Sequence, residues 1–154
     1  MKIRSTLLSL AALAVMGTGL SATAQDIPPA VEARQGQFQL MALNIGVLGN
    51  MARGNTDYDA GAAQTAADNL VTLSRIDQSF HWPEGTDNFA LDGTRALPAI
   101  WDNLPDVVSK WNDFGAAAVE LQAVAANGQG AIGPALGPVG GTCKACHDDY
   151  RTPE

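Results

Sequence analysis

Between Val107 and Ala125, apolar residues recur at intervals of four and three: Val107, Trp111, Phe114, Ala118, Leu121 and Ala125. On an α-helix that spacing makes one stripe, the seam of a helix bundle. Three further segments carry stripes of the same kind. One starts after Pro28-Pro29, runs through Val31, Phe38, Met41, Ile45 and Leu48, and ends near Gly54. Another opens at "TDYDA", with Thr56 as cap and Asp57 and Asp59 facing the positive helix end, and continues through Ala63, Ala66, Leu70, Leu73 and Ile76. The last passes through Ile132, Leu136, Val139, Cys143, Cys146 and Tyr150. Its first half is poor helix material, with Gly130, Gly133, Pro134, Gly137, Pro138, Gly140 and Gly141, and Pro138 is expected to kink it. The third helix begins around Pro98, is interrupted or restarted at Pro105, and reaches about Asn127. From Phe80 to Leu97 the period fails and Pro83, Gly85, Asp87 and Gly93 mark a long ordered loop. The expected fold is all-α, an antiparallel four-helix bundle.

The first 24 residues read as an export signal rather than as structure. Lys2 and Arg4 precede the short apolar core "LLSLAALAVMGTGL", and Ala22-Thr23-Ala24 fits a small-x-small cleavage site. Cleavage after Ala24 leaves residues 25–154 as one domain, with no repeat or linker. No later segment is long and apolar enough to span a bilayer, so the mature protein is expected to be exported, free of the membrane, and periplasmic in a Gram-negative host. Losing Lys2 and Arg4 leaves seven basic against sixteen acidic residues and moves the net charge from −7 to −9. Such a surface argues against nucleic acid or an anionic membrane as partner.

Both cysteines of the chain lie in Cys143-Lys144-Ala145-Cys146-His147, a C-x-x-C-H sequence that reads as c-type haem attachment. On the C-terminal helix the two sulfurs share a face one turn apart, within reach of two vinyl positions on one porphyrin edge. His147 then follows as the iron ligand. A disulfide over so short a loop adds little stability and leaves His147 unexplained. A thioredoxin-like pair needs a strand–helix setting absent here. A zinc site needs two more ligands, and the chain offers only His81 and carboxylates.

With the motif at its C-terminus, the chain resembles the cytochrome c′ family. The segment "VGGTCKACHDDYR" matches that family's C-terminal signature, while "ARQGQFQLMALN", "YDAGAAQTAADNL" and "LPAIW" are similar to the starts of its helices. The likeness covers Gln25 to Arg151; the Gly/Pro content between Gly128 and Gly141 departs from it. It implies one covalent haem c per chain, with Cys143 and Cys146 in thioethers and His147 as the only protein ligand on the proximal side. It places Arg34 and Gln35 at the haem edge and propionates, Thr86 and Asp87 near that edge, and Arg151 beside the proximal pocket, where a salt bridge to Asp148 is an equal alternative.

The sixth coordination position decides the function. Methionine-ligated relatives carry their Met where this chain has Phe38, which cannot ligate and is expected to roof the distal pocket. That implies five-coordinate, high-spin iron binding NO or CO, with electron transfer to redox partner proteins alongside. The alternative is a six-coordinate, low-spin electron carrier using Met41, Met51 or His81. No distal acid–base pair is visible near Phe38, which argues against an enzyme. The resemblance also implies a homodimer through the first two helices.

Overall fold

The computed structural model describes residues 27–153; the proposed signal segment and its cleavage point lie outside them. Five helices follow in order: α1 (Pro29–Ala52), α2 (Ala60–Ser74), the short α3 (Ala99–Asp102), α4 (Leu104–Val124) and α5 (Gln129–Tyr150). The four long ones pack as a ring, α1 on α2, α2 on α4, α4 on α5 and α5 back on α1, and α3 sits against α4 and α5. This is the expected four-helix bundle.

Local chemistry fixes the helix ends, in places other than expected. Asp59, not Thr56, caps α2, its carboxylate accepting from the Ala62 N–H at 2.6 Å. An aspartate directly before the helix satisfies an orphan donor and complements the dipole at once. Ile76 falls beyond the end of α2 and is largely exposed. The third helical segment breaks at Asn103 (φ −144°, ψ 51°), because Pro105 restarts a helix best from its first turn.

The Gly/Pro-rich stretch is helical throughout, from Gln129 onward, with Pro134 and Pro138 inside α5. Residues 130, 134 and 138 lie four apart on one exposed face, where no neighbour approaches the glycines. The hydrogen bonds the prolines forgo therefore fall on the solvent side, where water can take the freed carbonyls. Ile132 and Val139, on the other face, are fully buried. Packing outweighs propensity here, as it does for most helices in proteins. Gly128 supplies the positive φ (106°) of the turn into α5, a conformation costly for other residues.

The main core runs the length of the bundle through Leu48, Leu70, Phe114, Leu121, Ile132 and Val139. Burial of each such side chain contributes roughly 1.5–3 kcal/mol. A second, smaller cluster of Ala96, Ile100, Val107 and Tyr150 lies where α3 and the chain before it meet α5. There Ala96 and Arg151 form an isolated antiparallel bridge, tying the long loop to the end of α5.

Candidate cofactor site

Cys143 and Cys146 stand one turn apart on α5, both half-buried and neither in a disulfide. Cys143 packs against the main core and Cys146 against the second cluster, so the pair bridges the two apolar regions. Burial pushes both thiols above their ordinary range. For His147, desolvation first and then the nearby Arg151 and Arg95 charges lower the pKa, favouring the neutral imidazole that binds metals. Arg151 brings Nη1 to 3.5 Å from His147 Nδ1, and Lys144 pairs with Asp148. Arg95, His147, Asp148, Arg151, Thr152 and Pro153 bound a cleft of about 260 Å³.

On α1 stand Arg34, Gln35 and Phe38. Arg34 is 2% exposed, yet its partners among the described residues are all neutral. Nη1 donates to Thr86 Oγ1 (2.8 Å) and the His81 carbonyl (3.3 Å). Nη2 donates to the Thr86 carbonyl (2.6 Å) and Thr94 Oγ1 (2.9 Å). The guanidinium also lies over the Trp82 ring, 4.8 Å from its centroid. Desolvation lowers its pKa. Gln35 adds a bond to the Gly93 carbonyl (2.7 Å), and Gln37 bonds the Leu73 carbonyl (3.3 Å). One face of α1 thus ties down the loop between α2 and α3 at several points.

Phe38 is not sealed in the bundle core. It is 36% exposed and touches two indoles, with Trp82 at 6.4 Å and Trp111 at 6.3 Å between centroids. Trp82 also meets Trp101 edge-on at 6.4 Å, and the Trp101 Nε1–H donates to the Trp82 carbonyl. These four rings form one connected aromatic wall that begins at Phe38 on α1. Thr86 is buried, donating to the Pro83 carbonyl while accepting from Arg34. Asp87 instead caps its own turn, accepting from the N–H groups of Phe89 and Ala90. Met41 and Met51 are buried in the main core, and His81 holds its imidazole against Gln78 Oε1 (3.2 Å).

Two features escaped the sequence reading. One is the indole pair Trp82 and Trp101, placed by an aperiodic loop and a single-turn helix. The other is the Tyr150 hydroxyl, which donates to Asp106 on α4 at 2.6 Å, with Lys110 Nζ 3.5 Å from the same carboxylate oxygen. The Asp106 bond, with burial, pushes the Tyr150 pKa up to about 12.

The donor set fits a covalently bound haem. It offers two unpaired thiols one turn apart and a neutral imidazole at the next residue. Each sulfur packs against an apolar cluster, and a buried cation without an acidic partner among the described residues suits the porphyrin's propionates.

Comparison with known proteins agrees. A family model described as cytochrome c′ matches residues 29–151. The cytochrome c′ of Cereibacter sphaeroides is 40% identical over 149 residues, covering 97% of this chain and 98% of that protein. A solved cytochrome c′ from Rhodobacter spheriodes superposes with a TM-score of 0.79 at 42% identity, over 84% of this chain and all of that one. A cytochrome c′ described as having an unusual ligand-controlled dimer dissociation superposes with a TM-score of 0.73 at 28% identity, over 85% of this chain and all of that one.

Two outcomes are expected. Arg34→Lys keeps the charge but loses the fork, costing about 1–3 kcal/mol in urea unfolding and speeding proteolysis within residues 77–97. An unchanged midpoint with an equally resistant loop would contradict the clamp. For Tyr150, a folded pKa above the unfolded one means its stabilisation is whole below pH 10 and lost as pH rises through about 12. Denaturation followed from pH 9 to 12 should show that loss in the parent and not in Tyr150→Phe.

Proposed function

The chain belongs to the cytochrome c′ family, and on that premise we propose that it is an exported haem protein whose five-coordinate, high-spin iron binds NO and CO and exchanges electrons with redox partners. Its cofactor is haem c, held through Cys143 and Cys146, and His147 is the proximal ligand in this reading. When bound, the haem supplies an iron centre that takes up one diatomic ligand or one electron.

The observation that carries the five-coordinate reading is the fate of the candidate sixth ligands. Met41 and Met51 are spent in the main core, and the His81 imidazole is engaged by Gln78. What α1 offers beside Trp82 and Trp111 is the phenyl ring of Phe38, which excludes water and donates nothing. Its partial exposure at a ring-lined rim suits a pocket wall better than a core aromatic. O₂, which gains from a distal hydrogen-bond donor, finds none in this ring.

Arg34 keeps the loop closed over this end of the bundle, and its uncompensated charge favours nearby propionates. Gln35 and Thr86 act with it on the same loop, and Asp87 contributes by shaping the turn behind Thr86. Burial first, and then the Arg151 charge beside it, favour the neutral His147 imidazole.

Among the described residues no helix is long and apolar enough to cross a membrane. With the N-terminal signal, that supports a periplasmic location. Leu40 (52% exposed) and Leu43 (63%) stand three apart on the outside of α1, while Ala63, Ala66 and Ala67 of α2 are buried in the main core. The exposed leucines support a homodimer through the first two helices with its contact on α1, in keeping with the dimeric relative.

Electron paramagnetic resonance of the ferric protein should give a high-spin signal, and NO or CO should shift the ferrous Soret band. A low-spin ferric spectrum together with indifference to both gases would establish a six-coordinate carrier instead.

A further inference from the structure

The Tyr150–Asp106 contact has chemistry that helix packing does not require. Tyr150 lies one turn beyond Cys146 on the same face of α5, and Cys146 packs against the cluster to which Tyr150 belongs. Its ring is therefore beside the point where the porphyrin is joined to the chain. Its hydroxyl donates to a carboxylate at 2.6 Å, the geometry of a charge-assisted hydrogen bond. The acceptor has its own route to water: the Asp106 side chain is 39% exposed and shares Lys110 with Asp149.

A phenol is hard to oxidise while it keeps its proton, because the cation radical is strongly acidic. A base already hydrogen-bonded to the hydroxyl removes that obstacle. We propose that Tyr150 and Asp106 form a proton-coupled redox pair that supplies one electron to the haem when a peroxide oxidises it. This rests on the haem reading above.

Over a full cycle hydrogen peroxide would take up two electrons and two protons and leave as two waters. One electron would be drawn from the bound haem and the other from Tyr150. As Tyr150 loses its electron its O–H bond breaks, the proton passes to Asp106, and a neutral tyrosyl radical remains. A small one-electron donor, such as a thiol or ascorbate, later returns an electron to Tyr150 while Asp106 returns the proton. A second equivalent of donor replaces the electron drawn from the haem, and the protons shed by the two donors balance the two that the peroxide takes up. The cycle then ends with phenol and haem both restored and an oxidising equivalent drained away from the porphyrin and its thioethers.

The Asp106 carboxylate, already accepting the hydroxyl's hydrogen bond at 2.6 Å, gives the proton a place to go as the electron leaves. The competing donors are indoles. Trp82, also in contact with this cluster, carries the Arg34 guanidinium over its ring, and a cation there opposes a second positive charge. Trp101 donates its N–H to a backbone carbonyl, which cannot accept the proton.

The test uses the haem-loaded protein, with haem measured first by pyridine haemochrome in the same sample. Hydrogen peroxide is mixed in and the sample freeze-quenched for paramagnetic resonance. The expected result is a tyrosyl spectrum whose hyperfine lines change when the protein is grown on ring-deuterated tyrosine. It should fall to background in Tyr150→Phe, weaken in Asp106→Asn, and stay in Tyr58→Phe, which removes the chain's other tyrosine. The deuterium arm needs no substitution and so stands even if a variant folds poorly. A signal from tryptophan, a signal unmoved by Tyr150→Phe, or none in haem-loaded protein overturns the pair. Protein that never carries haem refutes the haem reading itself.

Discussion

The packing of Ile132 and Val139 against the other three long helices is what makes the site possible. Without it, a stretch holding several glycines and two prolines has no reason to be helical. With it, α5 runs unbroken from Gln129 to Tyr150 and delivers Cys143, Cys146, His147 and Tyr150 on a rigid rod. The attachment turn needs that rigidity. Two sulfurs must meet one porphyrin edge while an imidazole comes to the iron, and a loop of the same sequence would hold none of these relations. The prolines are tolerated because they share the solvent face, where the missing hydrogen bonds cost least.

The second determinant is Arg34. A buried guanidinium with only neutral partners is an expensive arrangement, relieved here by four hydrogen bonds and the Trp82 ring. In return it fixes an aperiodic loop against α1 and stands Trp82 beside Phe38. The part of the aromatic wall that Trp82 forms is therefore set by one polar clamp rather than by core packing. In the proposed site, that separates the parts played by its two halves: α5 would carry the covalent and coordinating groups, and α1 with its loop would set the shape and charge around them.

The bundle was legible in the sequence, and so was the turn proposed to carry the cofactor, because both follow from spacing. Apolar stripes of three and four residues mark the helices, and C-x-x-C-H leaves few competing uses for its side chains. Helix ends were less legible. Asp59 outcompeted Thr56 as the cap of α2, and the Gly/Pro run misled because propensity is local whereas the packing that overrides it is not. Trp82, Trp101, Thr94 and the Tyr150–Asp106 bond were out of reach for another reason. They join positions distant in sequence through a loop with no period, and no pattern within either segment announces the partner. Phe38 stood between these cases. Its place on α1 was clear, but its half-open position against two indoles was not.

The central claim is that a porphyrin is covalently held by one turn of α5, and mass spectrometry of the proteolysed mature protein tests it most directly. After acid–acetone extraction the colour should remain with the polypeptide, and the fragment containing Cys143 and Cys146 should carry the added mass of one haem through both sulfurs. Colour that passes into the acetone, or a fragment in which both thiols react freely with an alkylating reagent, would contradict it.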